Sequence, residues 1–392
     1  MIPLETIQVF SERMNEPRVL RDKRLHAFSE FERLDLPTFT YGLGVGLAPE
    51  LTAFLDIDPR ELRSAMRTLQ VPAGVTILPL TQFEQSSVAT TVSSVFQSQL
   101  PVSDDALVAL HAATWNDGLL VVVPPSHTSA DPLVLDVPLG EESRIAHVLV
   151  LAESASSLEL VLRLSGGAEQ AHSVGLEIVA REDAHVSVST ATDLGSKTTL
   201  QLLQYGRAAH NAQIAFRTAS FGGSFIRDIT HVELHEAGAQ GSVDAAFFGG
   251  EAMQLDLHSS VTHDAPHTTS LQTSKGLLQG RAHCVQHQTI GITQHGAGSD
   301  AREETRTLLL SDEAKMSPIP ILEVEHDDVS ASHAASTGRI DQEALFYAQS
   351  RGIGYEEAVR EIAAGHLSPV IDAIPYDDVR NLMHDRLSQR LA

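Results

Sequence analysis

The chain has 392 residues, enough for a large core and two or three structural units. Its formal charge is −24, from 51 acidic and 27 basic residues, with only four lysines, Lys23, Lys197, Lys275 and Lys315. Such a surface repels phosphate backbones and argues against nucleic acid as a partner. The single cysteine, Cys284, excludes an internal disulfide and cysteine-only metal sites. No apolar run is long enough for a membrane span, and the first residues lack a signal-peptide pattern, so the expected location is cytoplasmic.

The first forty residues read as two helices. Leu4, Ile7 and Phe10 recur at helical spacing before Asn15-Glu16-Pro17 breaks the run, and Leu25, Phe28 and Phe31 stripe a second helix that Pro37 ends. The glycine-rich "YGLGVGLAPE" is a connection. A further helix is expected from Pro59 to Leu69, with Asp58 as its N-cap.

From about residue 100 the texture changes. "GLLVVVPP", "IAHVLVLAE", "SLELVLRLSG", "VGLEIVARE" and "DAHVSVSTAT" are short alternating strands broken by Ser, Gly, Asp and Pro, and the pattern runs to about residue 335 without an amphipathic helix. Gly206, Gly222 and Gly238 are evenly spaced, and Gly280 and Gly296 repeat the interval. This points to a coil of stacked rungs with one turn glycine per rung, its thin interior filled by small residues such as Ala208, Ala212, Ala215, Ala245 and Ala246. A β-sandwich is the other architecture consistent with these strands.

Helices return after residue 340. Asp341 caps one that Gly352 stops, Glu356 to Ala364 forms another ended by Gly365, and a last helix follows Pro375. Its stripe of Val379, Leu382, Met383, Leu387 and Leu391 must face something apolar. The expected division is a mostly helical region over 1–95, a β core over 96–338 and a helical domain over 339–392.

Chemistry-bearing residues are few. "TDLGSKTT" lacks the glycines of a phosphate loop, and no serine sits in a hydrolase elbow. His258, His263 and His267 form a candidate metal group if the Asp264-Ala265-Pro266 bend brings them together. On a strand from Arg281 to Gln288, His283 and His287 point one way and Cys284 the other, so they do not share an ion and the thiol packs inward. His333, in "SASHAAS", is preceded by Glu323, Glu325, Asp327 and Asp328. Imidazole with oxygen from Glu323 and Glu325 is a competent iron donor set. The competing reading makes this segment a polar edge before the helical domain.

The runs "LLLSDEAKM" and "DDVSASHAASTGRIDQEALFYAQSRGI" resemble the C-terminal core of the SufB/SufD family of iron–sulfur assembly proteins. "SSVTHDAPHTTSLQTSKGLLQG" resembles the segment that precedes it. The shared features span residues 255–355, and the chain is most like SufD. The resemblance implies a right-handed parallel β-helix between helical segments. It also implies a non-enzymatic scaffold subunit that pairs with a SufB-like protein through the β-helix. The C-terminal helices, Val379, Leu382, Met383 and Leu387 among them, would then dock a SufC-like ATPase. ATP would be bound by that ATPase and an Fe–S cluster held transiently in the complex, with no cofactor bound stably by this chain alone. His333 stands where the family's "SHGA" motif has its histidine, with Ala334 in place of the glycine, and is the expected cluster or iron ligand at the SufB interface. The essential SufB cysteine has no counterpart in residues 303–312, and Cys284 lies elsewhere. Two alternatives accompany this reading. One is a homodimeric scaffold of the same family, since the isolated chain is expected to be able to pair with itself. The other is a β-helical polysaccharide-active enzyme using the Glu323–Asp328 acidic patch.

Overall fold

The computed structural model describes residues 2–42, 44–55 and 65–392. Three helices, α1 (Leu4–Arg13), α2 (Arg18–Arg33) and α3 (Thr52–Leu55), precede strands β1 (Arg67–Gln70) and β2 (Thr76–Pro79), then α4 (Ala89–Val95) and α5 (Ala106–Thr114). Of the helix expected from Pro59 to Leu69, residues up to 64 lie outside the described residues, and Arg67–Gln70 is a strand.

A continuous run of strands follows: β3 (Asp117–Val123), β4 (Leu133–Pro138), β5 (Ile145–Ala152), β6 (Ser157–Gly166), β7 (Ala171–Ala180), β8 (His185–Leu194), β9 (Thr199–Ala208) and β10 (Gln213–Phe221). It continues through β11 (Phe225–Leu234), β12 (Gln240–Gly249), β13 (Gln254–His263), β14 (Thr269–Leu278), β15 (His283–Ile292), β16 (Asp300–Leu309), β17 (Lys315–Val324) and β18 (Ser330–Gly338). From β3 onward odd-numbered strands stack in one parallel sheet. The even-numbered strands from β4 stack in the other. The fold is therefore a β-solenoid of about eight turns over 117–338, with helices at both ends. Its step is longer than the glycine interval suggested: Val188 stacks on Phe216, 28 residues on. Each turn holds two strands and two corners. Gly238, at φ 75°, occupies one corner, while Asn211 and His267 take the left-handed conformation at others.

The lumen is not filled mainly by small residues. Ala208 and Ala212 face it, but Leu160, Leu176, Leu202, Phe216, Ile226, Val232, Leu255 and Phe247 supply most of its packing. Each such side chain contributes about 1.5–3 kcal/mol on burial. Ala246 instead lies outside, beneath the C-terminal helices.

A second core joins the outer face of the odd sheet to the N-terminal helices through Phe28, Phe54, Phe83, Phe96 and Trp115. Arg24 stitches it together, donating to the carbonyls of Ala113 and Trp115 at 2.8 and 2.9 Å while pairing with buried Glu16. Helix α5 carries no amphipathic signal because all nine of its residues are buried.

Downstream lie α6 (Gln342–Ser350), α7 (Tyr355–Ile371) and α8 (Asp377–Leu391). Asp341 caps α6 by accepting from the Glu343 N–H at 2.9 Å. Helix α7 runs through Gly365 rather than ending there, because Leu367, Val370 and Ile371 bury against the outer face of the even sheet. Tertiary burial outweighs the roughly 1 kcal/mol glycine penalty. No helix among the described residues is long and apolar enough to cross a membrane.

Candidate functional site

Parallel in-register stacking turns each solenoid position into a row, and one row changes character along its length. Leu160, Val188, Phe216, Val243, Gln272, Glu303 and His333 stack in succession across β6 to β18. The alternating burial of β16 places Ala301, Glu303, Thr305 and Thr307 inward, with Arg302, Glu304 and Arg306 outward. His333, in register with Glu303, shares its inward parity. It is exposed because β18 is the last strand of its sheet.

The lumen becomes polar toward this end. Thr190 donates to Gln204 Oε1 at 2.8 Å, and Gln204 Nε2 donates to Thr218 and Thr230 at 3.0 and 2.9 Å. Thr230 donates to Asp228 at 3.0 Å. Two turns further, Gln272 donates to the Thr289 carbonyl at 2.9 Å, and Thr305 bonds Gln288. Burial raises the carboxyl of Asp228 to about 7 against its hydrogen bonds, and that of Glu303 to about 7 as well. Glu303 Oε2 is buried without a partner. Glu303, which burial makes readier to hold a proton than an exposed glutamate, lies directly beneath His333 at the roughly 4.8 Å spacing of neighbouring strands. Glu303 escaped the sequence reading because it lies in a charged run; its signal was its parity with Ala301, Thr305 and Thr307.

The two terminal strands have different free edges. The Lys315 and Glu325 amides bond back to β15-side carbonyls, so odd-numbered amides of β17 face that strand and even-numbered positions face outward. Pro318 and Pro320 fall on the outward set and remove two donors from that edge. In β18 the Ser330 amide bonds the Ser299 carbonyl. Ala331, His333, Ala335 and Thr337 therefore present their N–H and C=O groups to the open edge, with no proline among them.

Other expected residues are scattered. Glu323 is exposed on β17 in register with Gly291, and Glu325 is exposed just past the strand end. No metal-spaced group among the described residues joins either to His333. His258, His263 and His267 do not converge. His258 faces outward; His263, of opposite parity on β13, is buried and bonded to Thr268 and Ser270 at 2.8 Å each; His267 is a corner residue. Cys284 is fully buried in the lumen, which pushes its thiol well above the ordinary range. Val379, Met383 and Leu387 are buried against Phe221, Phe248 and Leu277 of the even sheet, with Leu382 half-buried. Exposed aromatics lie instead on α6 and at the start of α7: Phe346 is 74%, Tyr347 61% and Tyr355 56% exposed.

One convergence was invisible in the linear sequence. Asp256, His258 and His287 bring a ligand atom each within 4.8 Å of the others on the outer face of the odd sheet, as do Glu233, His235 and Asp264 elsewhere.

Among curated proteins, the chain is 25% identical over 287 residues to an iron-sulfur cluster assembly SufBD family protein of Staphylococcus epidermidis. It is 26% identical over 291 residues to one of Staphylococcus saprophyticus. Each alignment covers 72% of this chain and 62% of the relative, so the chain spans less than two thirds of these relatives' length. A profile described as SUF system FeS cluster assembly, SufBD core domain, matches residues 138–366. This is most of the solenoid with α6 and the greater part of α7, and the chain belongs to the SufBD core-domain family of iron–sulfur cluster assembly proteins.

Proposed function

We propose that this chain is the SufD-like, non-enzymatic subunit of a SufBCD-type scaffold, with β18 as the edge that pairs with a SufB-like partner. The observation that carries the proposal is the free, proline-free edge of β18 with His333 at its centre. An unpaired strand edge is a template for another chain's backbone. His333 would then lie in the seam as a ligand for a transient cluster or its iron, with Glu303 beneath it and Glu323 and Glu325 as candidate outer oxygen donors. The sulfur-accepting thiol would come from the partner, because Cys284 is sealed and held protonated.

The C-terminal helices are the proposed seat of a SufC-like ATPase, which would bind the ATP. Val379, Met383 and Leu387 would support that seat by fixing α8 to the solenoid, and Phe346 and Tyr347 would make the contact. Exposed clustered aromatics are typical anchors of protein interfaces.

The test is anaerobic reconstitution with SufB-like and SufC-like proteins. His333→Ala should leave the complex assembled and lower cluster formation. Phe346→Ala with Tyr347→Ala should lower ATPase capture. Unchanged cluster formation with His333→Ala rules out its ligand role, and failure to bind the SufB-like protein rules out the subunit assignment. A second copy pairing through the same β18 edge would give a homodimer, distinguished by mass with and without the partner.

A further inference from the structure

The outer face of the odd sheet carries a donor set that the scaffold role leaves unused. Strands β13 and β15 are parallel and in register, with His258 directly opposite His287. Asp256, two residues before His258, shares its face. The two imidazoles are stacked, with centroids 4.4 Å apart and planes 2° apart. Asp256 Oδ1 accepts from His258 Nε2 at 2.9 Å and from the Tyr41 hydroxyl. The Tyr41 ring, from the N-terminal segment, covers His287 at 4.6 Å.

Three features point to a missing ligand. First, Nε2 of His287 is buried and has no hydrogen-bond partner; a buried imidazole nitrogen left unpaired is costly unless something uses its lone pair or proton. Second, the surrounding charge is negative. Arg227 lies 3.4 Å from Asp256 Oδ2 but is also paired with Asp105, so two carboxylates face one guanidinium. Third, the in-register neighbours on either side of the imidazole pair are Ile229 and Ile319, which give the ligands a dry flank. The other metal-spaced group lacks these features. His235 there is exposed, and Arg207 Nη2 sits 3.0 and 2.8 Å from its two ring nitrogens, so a cation already occupies that place.

We propose that Asp256, His258 and His287 form a binding site for a first-row divalent cation of the iron(II), cobalt(II) and zinc(II) class, closed by Tyr41. Two imidazoles and one carboxylate match the preferences of these metals. Magnesium and calcium would require more oxygen donors. On binding, the His258 proton moves from Nε2 to Nδ1, the cation takes the place of the His258–Asp256 hydrogen bond, and the rings turn out of their parallel stack so that the in-plane lone pairs of His258 and His287 both reach it. Tyr41 keeps its bond to the carboxylate and acts as a positioning residue. The site rests on this chain's own side chains and does not depend on the SufD-like assignment.

The full-length chain, stripped of metal and kept anaerobic, would be titrated with cobalt(II) and followed by visible absorption and equilibrium dialysis. One cobalt per chain is expected. His258→Ala and His287→Ala should each weaken binding by more than about a hundredfold, and Tyr41→Phe by about tenfold. His235→Ala should leave it unchanged. X-ray absorption of the zinc-loaded wild type should show two imidazoles and no sulfur, a result independent of whether the histidine variants fold. No cobalt uptake by the folded wild type, uptake that survives loss of both histidines, or fewer than two imidazoles around zinc would each overturn the proposal.

Discussion

Asp228 sits in the lumen between Leu202 and Leu257 of the neighbouring turns, with a hydrogen bond from Thr230 as its local support. Burial dominates that bond and moves its carboxyl from 3.8 to about 7. The folded chain therefore keeps a proton up to about pH 7 that the unfolded chain releases near 3.8. Between these values the native state binds more protons, so stability falls as pH rises. The penalty is absent below the lower value and complete above the upper one. At about 1.4 kcal/mol per pH unit the full penalty has a ceiling of about 4 kcal/mol. Asp228→Asn keeps the shape and an acceptor for Thr230 but cannot ionise. Its advantage over wild type should grow by about 2–3 kcal/mol between pH 5 and pH 8. Urea unfolding of both proteins in chelator-treated buffer would measure this, because the self-repulsion of the −24 surface is common to both and cancels in the difference. Parallel stability curves across that range would show that the carboxylate is solvated, and the reasoning would fail.

Gly175 lies where an added methyl would overlap the His111 ring and come 2.8 Å from His147 Nδ1. Gly175→Ala should disrupt the buried chain from Ser173 through His111 and His147 to Glu177, whose links are 2.8, 3.0 and 2.9 Å. A loss of about 1–3 kcal/mol in urea unfolding is expected. In native-state hydrogen exchange of the isolated chain, the amides of Ala331, His333, Ala335 and Thr337 should exchange faster than those of Ser332, Ala334 and Ser336, which face β16. Binding of a SufB-like protein should slow the first set; equal rates in both sets would refute the edge assignment.

What the sequence disclosed followed parity and caps. Period-two alternation marked the strands, Asp341 marked the start of α6, and the opposite parity of Cys284 and His287 placed the thiol inward and the imidazole outward. The same rule applied to His258 and His263, five apart, would have put them on opposite faces. Two helices resisted because packing, not pattern, decides them: α5 is apolar on every side, and α7 crosses a glycine to reach the even sheet. The glycine interval misled because corners occur twice per turn. The Asp256–His258–His287 group was beyond reach for a different reason. Its histidines are 29 residues apart, and only the register of β13 against β15 makes them neighbours.

The two ends of the solenoid explain why polarity inside it is tolerable. At the N-terminal end, β1 and β2 add as antiparallel strands to β4 and β3, and the helices bury the outer face of the odd sheet. At that end the lumen is mainly Leu, Val and Ile, with Met66, Val75 and Ile77 packed against it. At the other end β17 and β18 have no successor. An apolar row continued to that end would expose a hydrophobic stripe to water; instead, Val243 gives way to Gln272, Glu303 and His333. The substitution lets the isolated chain tolerate an open end while leaving backbone groups and an imidazole unpaired along it. A chain built only for stability would cap that edge with a helix or a charged bulge. Here prolines blunt β17 alone, so the exposed pairing capacity is concentrated on the strand that carries His333.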